Sequence, residues 1–149
     1  MGKRINNWQI AFQRAIEKER TFNRGTTDCV MFVLDVLSSY TDNKLADKYY
    51  GKYNNLSQGL KLLREWGTKG NTLNEHIINL FDKLYKRTHI NLAQRGDVVG
   101  FNSEEISKIN DLQDSGFTVG IMCEGFGRFV MRNGYQDIRR ENLTMAWKV

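Results

Sequence analysis

Cys29 closes the run Thr26-Thr27-Asp28-Cys29 and opens the apolar stretch Val30-Met31-Phe32-Val33-Leu34. A thiol in the first turn of a helix gains most from the local field, because unpaired backbone N–H groups and the helix dipole favour the thiolate. Cleavage chemistry also needs a base, usually an imidazole within hydrogen-bond reach, to take the thiol proton and return it to the leaving group. The chain has two histidines, His76 and His89. His76 falls beside the apolar stripe of a helix expected over 72–86, next to Leu80, the pattern of a histidine packed at a helix flank. His89 precedes the turn Arg95-Gly96-Asp97, the pattern of a connector or cap. Either stays open as a base that folds back on Cys29, and no spacing requires it. Asn133 is the remaining candidate for an orienting group. The other reading of Cys29 is a small buried residue with a packing role.

Other residue sets point to less chemistry. Cys29, Cys123, His76 and His89 are numerous enough to ligate a metal, but no Cys-x-x-Cys or His-x-x-x-His spacing occurs. No metal or cofactor is expected. Gly125-Phe126-Gly127 and Gly134 read as turn glycines, since no Gly-Lys-Ser/Thr phosphate loop follows them. Glu104, Glu105, Asp111 and Asp114 lie in a polar linker or short helix and read as a solvated face. Two cysteines are too few for a disulfide framework and suit a reducing environment.

The elements that must position Cys29 follow from periodicity. Ile5, Trp8, Phe12, Ala15 and Ile16 fall at helical intervals and predict a first amphipathic helix. A second is expected over 28–40, capped by Asp28 or Thr27, with Cys29, Phe32, Val33, Val36 and Tyr40 on one inward face. Further helices are expected over 43–50, 56–66 and 72–86. Beyond residue 90 the pattern changes to short β segments at 98–101, 117–122, 128–131 and 145–149. Helices first and strands later predict an α+β fold: a single domain over 1–149, with the cysteine helix packed on a mainly antiparallel sheet and a helical insert at about 43–87. Proline is absent, so turns fall to the 13 glycines and to Asn and Asp.

Asp28-Cys29 opening a buried helix, Arg95-Gly96-Asp97-Val98-Val99-Gly100-Phe101 entering a strand, and then Val119-Gly120-Ile121 stand in an order that resembles the NlpC-type papain-like cysteine peptidases. More closely, the chain resembles a short NlpC-like family found in phages and prophages. The resemblance rests on an early tryptophan helix (Trp8), Phe22-x-x-Gly25-x-x-Asp28-Cys29, the helical insert, Gly96-Asp97 and the final Ala146-Trp147-Lys148-Val149. It implies a papain-like fold, Cys29 at the nucleophile position, and a histidine just before Val119-Gly120-Ile121. That position holds Thr118, whose hydroxyl cannot accept a proton near neutral pH as imidazole does. Loss of a general base costs ~10²–10⁴ in rate.

Composition narrows the partners. Hydrophobic residues at 40% and charged residues at 26% are ordinary for a soluble globular chain. No stretch approaches the ~20 apolar residues of a membrane span, and the first residues do not form a secretory signal. The net charge of +5 is concentrated early, with six Lys/Arg against two Asp/Glu in residues 1–25. That segment reads as a solvated helix face or as a surface for an acidic partner. The interleaved basic and aromatic residues of a nucleic-acid groove are missing. The expectation is therefore a phage virion protein, tail or tail-tip associated, made in the host cytoplasm. It is expected to bind other virion proteins, or peptidoglycan, on an NlpC-like scaffold whose peptidase activity is lost. Lys3, Arg4, Arg14 and Lys18 and the exposed faces of the insert are the candidate contact surfaces. The virion setting follows from the resemblance alone. Two alternatives stay open: an active peptidoglycan endopeptidase or amidase with Cys29 as nucleophile and His89 or His76 as base, and a host-directed accessory protein made early in infection.

Overall fold

The structure is a computed structural model that describes residues 3–102 and 117–149; Glu104, Glu105, Asp111 and Asp114 lie outside these. The chain order is α1 (Trp8–Glu17), α2 (Cys29–Tyr40), α3 (Leu45–Tyr49), α4 (Leu56–Glu65), α5 (Leu73–Leu84), then β1 (Lys86–Thr88), β2 (Val98–Asn102), β3 (Phe117–Met122), β4 (Phe126–Met131), β5 (Gly134–Arg139) and β6 (Met145–Lys148). The fold is α+β, and α3, α4 and α5 occupy the expected helical insert. Two strands were not expected. β1 is only three residues long, and β5 carries polar residues at most of its positions, so neither shows the apolar alternation that marks a strand. Gly127 and Gly134 belong to strands β4 and β5, not only to turns.

The six strands form one antiparallel sheet in the order β1-β6-β2-β3-β4-β5. This order forces the sheet to curl. β5 and β6 are four strand spacings apart, about 19 Å if flat. The connection between them includes a 3₁₀ turn, Arg140–Asn142, and reaches only ~16 Å. Arg140 holds this connection by donating from Nη1 to the carbonyls of Ile90 (2.7 Å) and Ala93 (2.9 Å), on the link between β1 and β2.

The sheet separates two apolar layers. Its outer face meets the helices through Val98, Val119, Ile121, Val130 and Trp147, against Phe32, Val33, Val36, Leu37 and Phe81. The enclosed face gathers Val99, Phe101, Met122, Phe129, Met131 and Ile138. α2 is apolar nearly all round because it lies beneath α1, the insert and the sheet at once; eight of its residues are buried. Its N-terminus is capped by Asp28, whose Oδ1 accepts from Met31 N at 2.9 Å.

Asp97, fully buried, ties the chain ends to this core. Its Oδ1 accepts from Arg4 Nη2 and Val149 N, both at 3.0 Å, and its Oδ2 accepts from Gln94 N (2.8 Å) and Lys148 Nζ (3.3 Å). Gly96 before it has φ +91°, and a Cβ there would lie 3.2 Å from the Arg4 guanidinium and the Trp8 ring. Tyr40, at the far end of α2 from Cys29, donates its hydroxyl proton to the Gly96 carbonyl.

Candidate functional site

The loop Asn23–Asp28 sets the Cys29 end of α2. The second oxygen of Asp28, Oδ2, accepts from Gly25 N (2.9 Å) and from the Tyr53 hydroxyl. Gly25 has φ +88°, and a Cβ there would fall 1.7 Å from the Tyr53 carbonyl oxygen. Only glycine lets the loop and the insert approach this closely. The Gly25-x-x-Asp28-Cys29 spacing is thus a structural device: it turns the chain, caps the helix and fixes the insert to the helix start. Burial, the Asp28 carboxylate and its hydrogen bond all push the Tyr53 phenol upward, so it remains a proton donor to Asp28.

Cys29 is partly buried and lines a pocket with Arg24, Asp28 and Val30. The rest of the lining comes from Tyr53 and the insert: Leu56, Gly59 and Leu63 with Trp66, and Leu73 with Ile77. The cavity is about 40 Å³, against the ~10–15 Å³ that one water needs. It suits a small apolar group presented to the thiol. The insert residues were missed from sequence because their pocket role shows only once α4 and α5 pack over the loop. Asn55 and Thr72, which cap those helices by accepting from Gln58 N (2.9 Å) and Glu75 N (3.2 Å), were the local signal for that packing.

Neither histidine lines this pocket. His76 is buried at 2% exposure on α5, one residue before Ile77. Its Nδ1 lies 2.7 Å from Thr68 Oγ1, while the Thr68 hydroxyl donates to Leu63 O at 2.7 Å. With that proton committed, Thr68 must accept from Nδ1–H, which fixes the tautomer and leaves Nε2 as a bare lone pair. Nε2 is buried with no hydrogen-bond partner. His89 is exposed and caps the 3₁₀ turn Ile90–Leu92, its Nδ1 accepting from Asn91 N at 3.1 Å. Ile90 packs on the enclosed sheet face, across the sheet from the helices.

Thr118 does not face Cys29. It pairs in register with Phe101, whose side chain belongs to the enclosed layer. Directly opposed residues of an antiparallel pair share a face. Phe117, Val119 and Ile121 are the residues of β3 that meet the helices. The Phe117 ring packs edge-on to Trp147, 6.2 Å between centroids. The motif position at which the resemblance implies a histidine thus lies on the face of β3 turned away from the helices. Asn133 lies in the exposed turn between β4 and β5.

Of the basic residues expected to make contacts, Lys3, Arg14 and Lys18 are exposed. Arg4 is not an open surface charge, because it pairs with Asp97 and stacks over Trp8 at 4.1 Å. Among the described residues no group of His, Cys, Asp and Glu is arranged to hold a metal ion, and no helix is long and apolar enough to cross a membrane.

The two thiols differ. Burial first of all pushes Cys123 up to about 11, so about one molecule in a thousand carries its thiolate at pH 8. Iodoacetamide at pH 8 is expected to label Cys29 in the native protein and Cys123 only after unfolding. Peptide mass spectrometry reads this directly, and native labelling of Cys123 at a comparable rate would contradict it.

No curated protein and no solved structure matches the chain. A family model does, over residues 3–149, and by that match the chain belongs to DUF6950, a domain of unknown function.

Proposed function

We propose that this is a phage virion protein, tail or tail-tip associated, that binds through an NlpC-like scaffold and no longer cleaves. One observation carries the loss of cleavage. The pocket that meets Cys29 has no imidazole in its lining, and both histidines of the chain lie outside it, each with its Nδ1 held by a neighbouring group. The helix start that suits a thiolate persists, while among the described residues no imidazole stands beside the thiol for the proton transfer that hydrolysis needs. The pocket is instead an apolar socket, suited to anchoring a small side chain of a partner. The scaffold and the virion setting draw on the likeness of Asp28-Cys29, Gly96-Asp97 and the terminal Ala146–Val149 segment to phage NlpC-like chains.

Two measurements test the reading together. Purified virions of the encoding phage are expected to contain the protein by mass spectrometry. The purified protein is expected to release no new amino termini from peptidoglycan across pH 5–9. Absence from virions removes the structural role and favours an accessory protein made early in infection. Cleavage that disappears in Cys29→Ser removes the loss of activity.

A second reading, an active endopeptidase or amidase with Cys29 as nucleophile, is favoured by His76. Its Nδ1 is held by Thr68 and its Nε2 lone pair is unengaged, as a general base requires. This reading needs α5 to turn so that Nε2 reaches the thiol. It then predicts that His76→Gln abolishes any cleavage that Cys29→Ser abolishes.

A further inference from the structure

Lys3, Arg4, Lys86 and Lys148 converge on one open recess of about 410 Å³, floored by Leu84 and Tyr85 and closed by Val149. They arrive from three parts of the chain: the segment before α1, strand β1 and strand β6. Lys86 and Lys148 are direct cross-strand partners, an arrangement in which like charges destabilise a sheet. Lys148 and Arg4 reach the two oxygens of the same carboxylate, Asp97, at 3.3 and 3.0 Å. Both charged ends are therefore held against one carboxylate.

Among the described residues, the negative charge beside the recess does not balance this cluster. Asp97 is one carboxylate, fully buried behind the recess. Asp42 is a second, its backbone N–H donating to the Lys3 carbonyl at 3.1 Å. A carboxyl terminus at Val149 would add one more, and four cations would still exceed the three. Arg4 Nε, moreover, is buried with no hydrogen-bond partner.

We propose that this recess binds phosphate-class oxyanions that bring two or more negative charges, on one phosphate compound or on adjacent phosphodiester groups. Arg4 supplies planar N–H donors, and Lys3, Lys86 and Lys148 supply ammonium groups around it. The bound anion would relieve the Lys86–Lys148 repulsion, which Asp97 screens from one side only. The site is independent of the Cys29 pocket, since the two share no residue. A small free phosphate compound carries those charges on one or two linked phosphates and a phosphodiester polymer on neighbouring ones, and the N–H···O contacts at the recess are of the same kind.

Calorimetric titration of the full chain at low salt tests this, with inorganic pyrophosphate in one arm and a poly(glycerol phosphate) oligomer in the other. The expected result is saturable binding in at least one arm that weakens with added salt. It should also weaken about tenfold in Lys86→Gln, the loss of one charge-assisted contact. Arg139→Gln, which removes an equal charge from an exposed position of β5, should leave it unchanged. Binding in the pyrophosphate arm identifies a compact phosphate, and binding in the polymer arm alone identifies the polymer. No saturable binding in either arm overturns the proposal, and so does binding that falls equally in Arg139→Gln and Lys86→Gln.

Discussion

Asp97→Asn is expected to cost about 3–5 kcal/mol of folding stability, the range for breaking a buried charge pair by removing one partner. The carboxylate accepts four donors, two on each oxygen: Arg4 and the Val149 amide on one, the Gln94 amide and Lys148 on the other. An amide of the same size keeps one accepting oxygen and turns the other position into a donor. Whichever way it flips, two N–H groups then face N–H groups in a site with no solvent. Arg4, stacked on Trp8 and only 19% exposed, would lose the charge that compensates it. Urea titration at pH 7 measures the loss. A double variant, Arg4→Met with Asp97→Leu, should recover part of it, because both buried charges then leave together. A cost below about 1 kcal/mol for Asp97→Asn would show that the clasp is not a stability determinant.

This clasp gives a physical reason for the motifs that made the chain look like a peptidase relative. Gly96-Asp97 is not beside the thiol. It holds the segment before α1, the last strand and the C-terminal end of α2 in one place. The terminal Ala146-Trp147-Lys148-Val149 is fixed for the same reason. Trp147 is fully buried, donates from Nε1 to Asp82 Oδ1 at 2.9 Å, and packs on Phe81 and Phe117. Lys148 and Val149 complete the shell of Asp97. The residues of these motifs hold the fold together, and their presence is silent on cleavage.

The helices and the central strands were legible because their apolar patterning is strong: periodic stripes in α1 and α5, and unbroken apolar runs in α2 and Val98–Phe101. Asp28 as a cap was legible for the same local reason. β1 and β5 were not, since an edge strand with one solvated face and polar residues has no such period. Thr118 shows a second limit. A motif aligned by sequence order places a residue along a strand, but the face it presents depends on the register with β2, a contact between segments that local pattern does not encode. The insert half of the Cys29 pocket failed for a related reason. Tyr53, Leu63 and Trp66 read as ordinary apolar positions of a helical hairpin, and only their packing over Gly25 and Asp28 brings them to the thiol.

Asp28→Ala is expected to produce the second large effect, about 2–4 kcal/mol, and to change the chemistry of Cys29 with it. Three donors depend on this side chain: Met31 N at the first turn of α2, Gly25 N in the loop, and the Tyr53 hydroxyl. Loss of an N-cap costs ~0.5–2 kcal/mol, and each buried donor left without a partner costs ~1–3 kcal/mol where water cannot replace the bond. Asp28 is 2% exposed, so water replaces little of it. Tyr53→Phe removes one of the three bonds at its other end and leaves the cap intact, so it should cost only about 1 kcal/mol. The ordering of the two variants separates capping from the attachment of the insert. Reactivity supplies the readout that stability alone does not. With the loop and the insert released from the helix start, the partly buried thiol becomes more accessible, and native-state alkylation of Cys29 in Asp28→Ala should exceed that of wild type by several fold. Equal rates in wild type and Asp28→Ala under conditions where both are folded would mean that Asp28 stabilises the helix without shaping the pocket. The apolar socket would then owe its form to the insert alone.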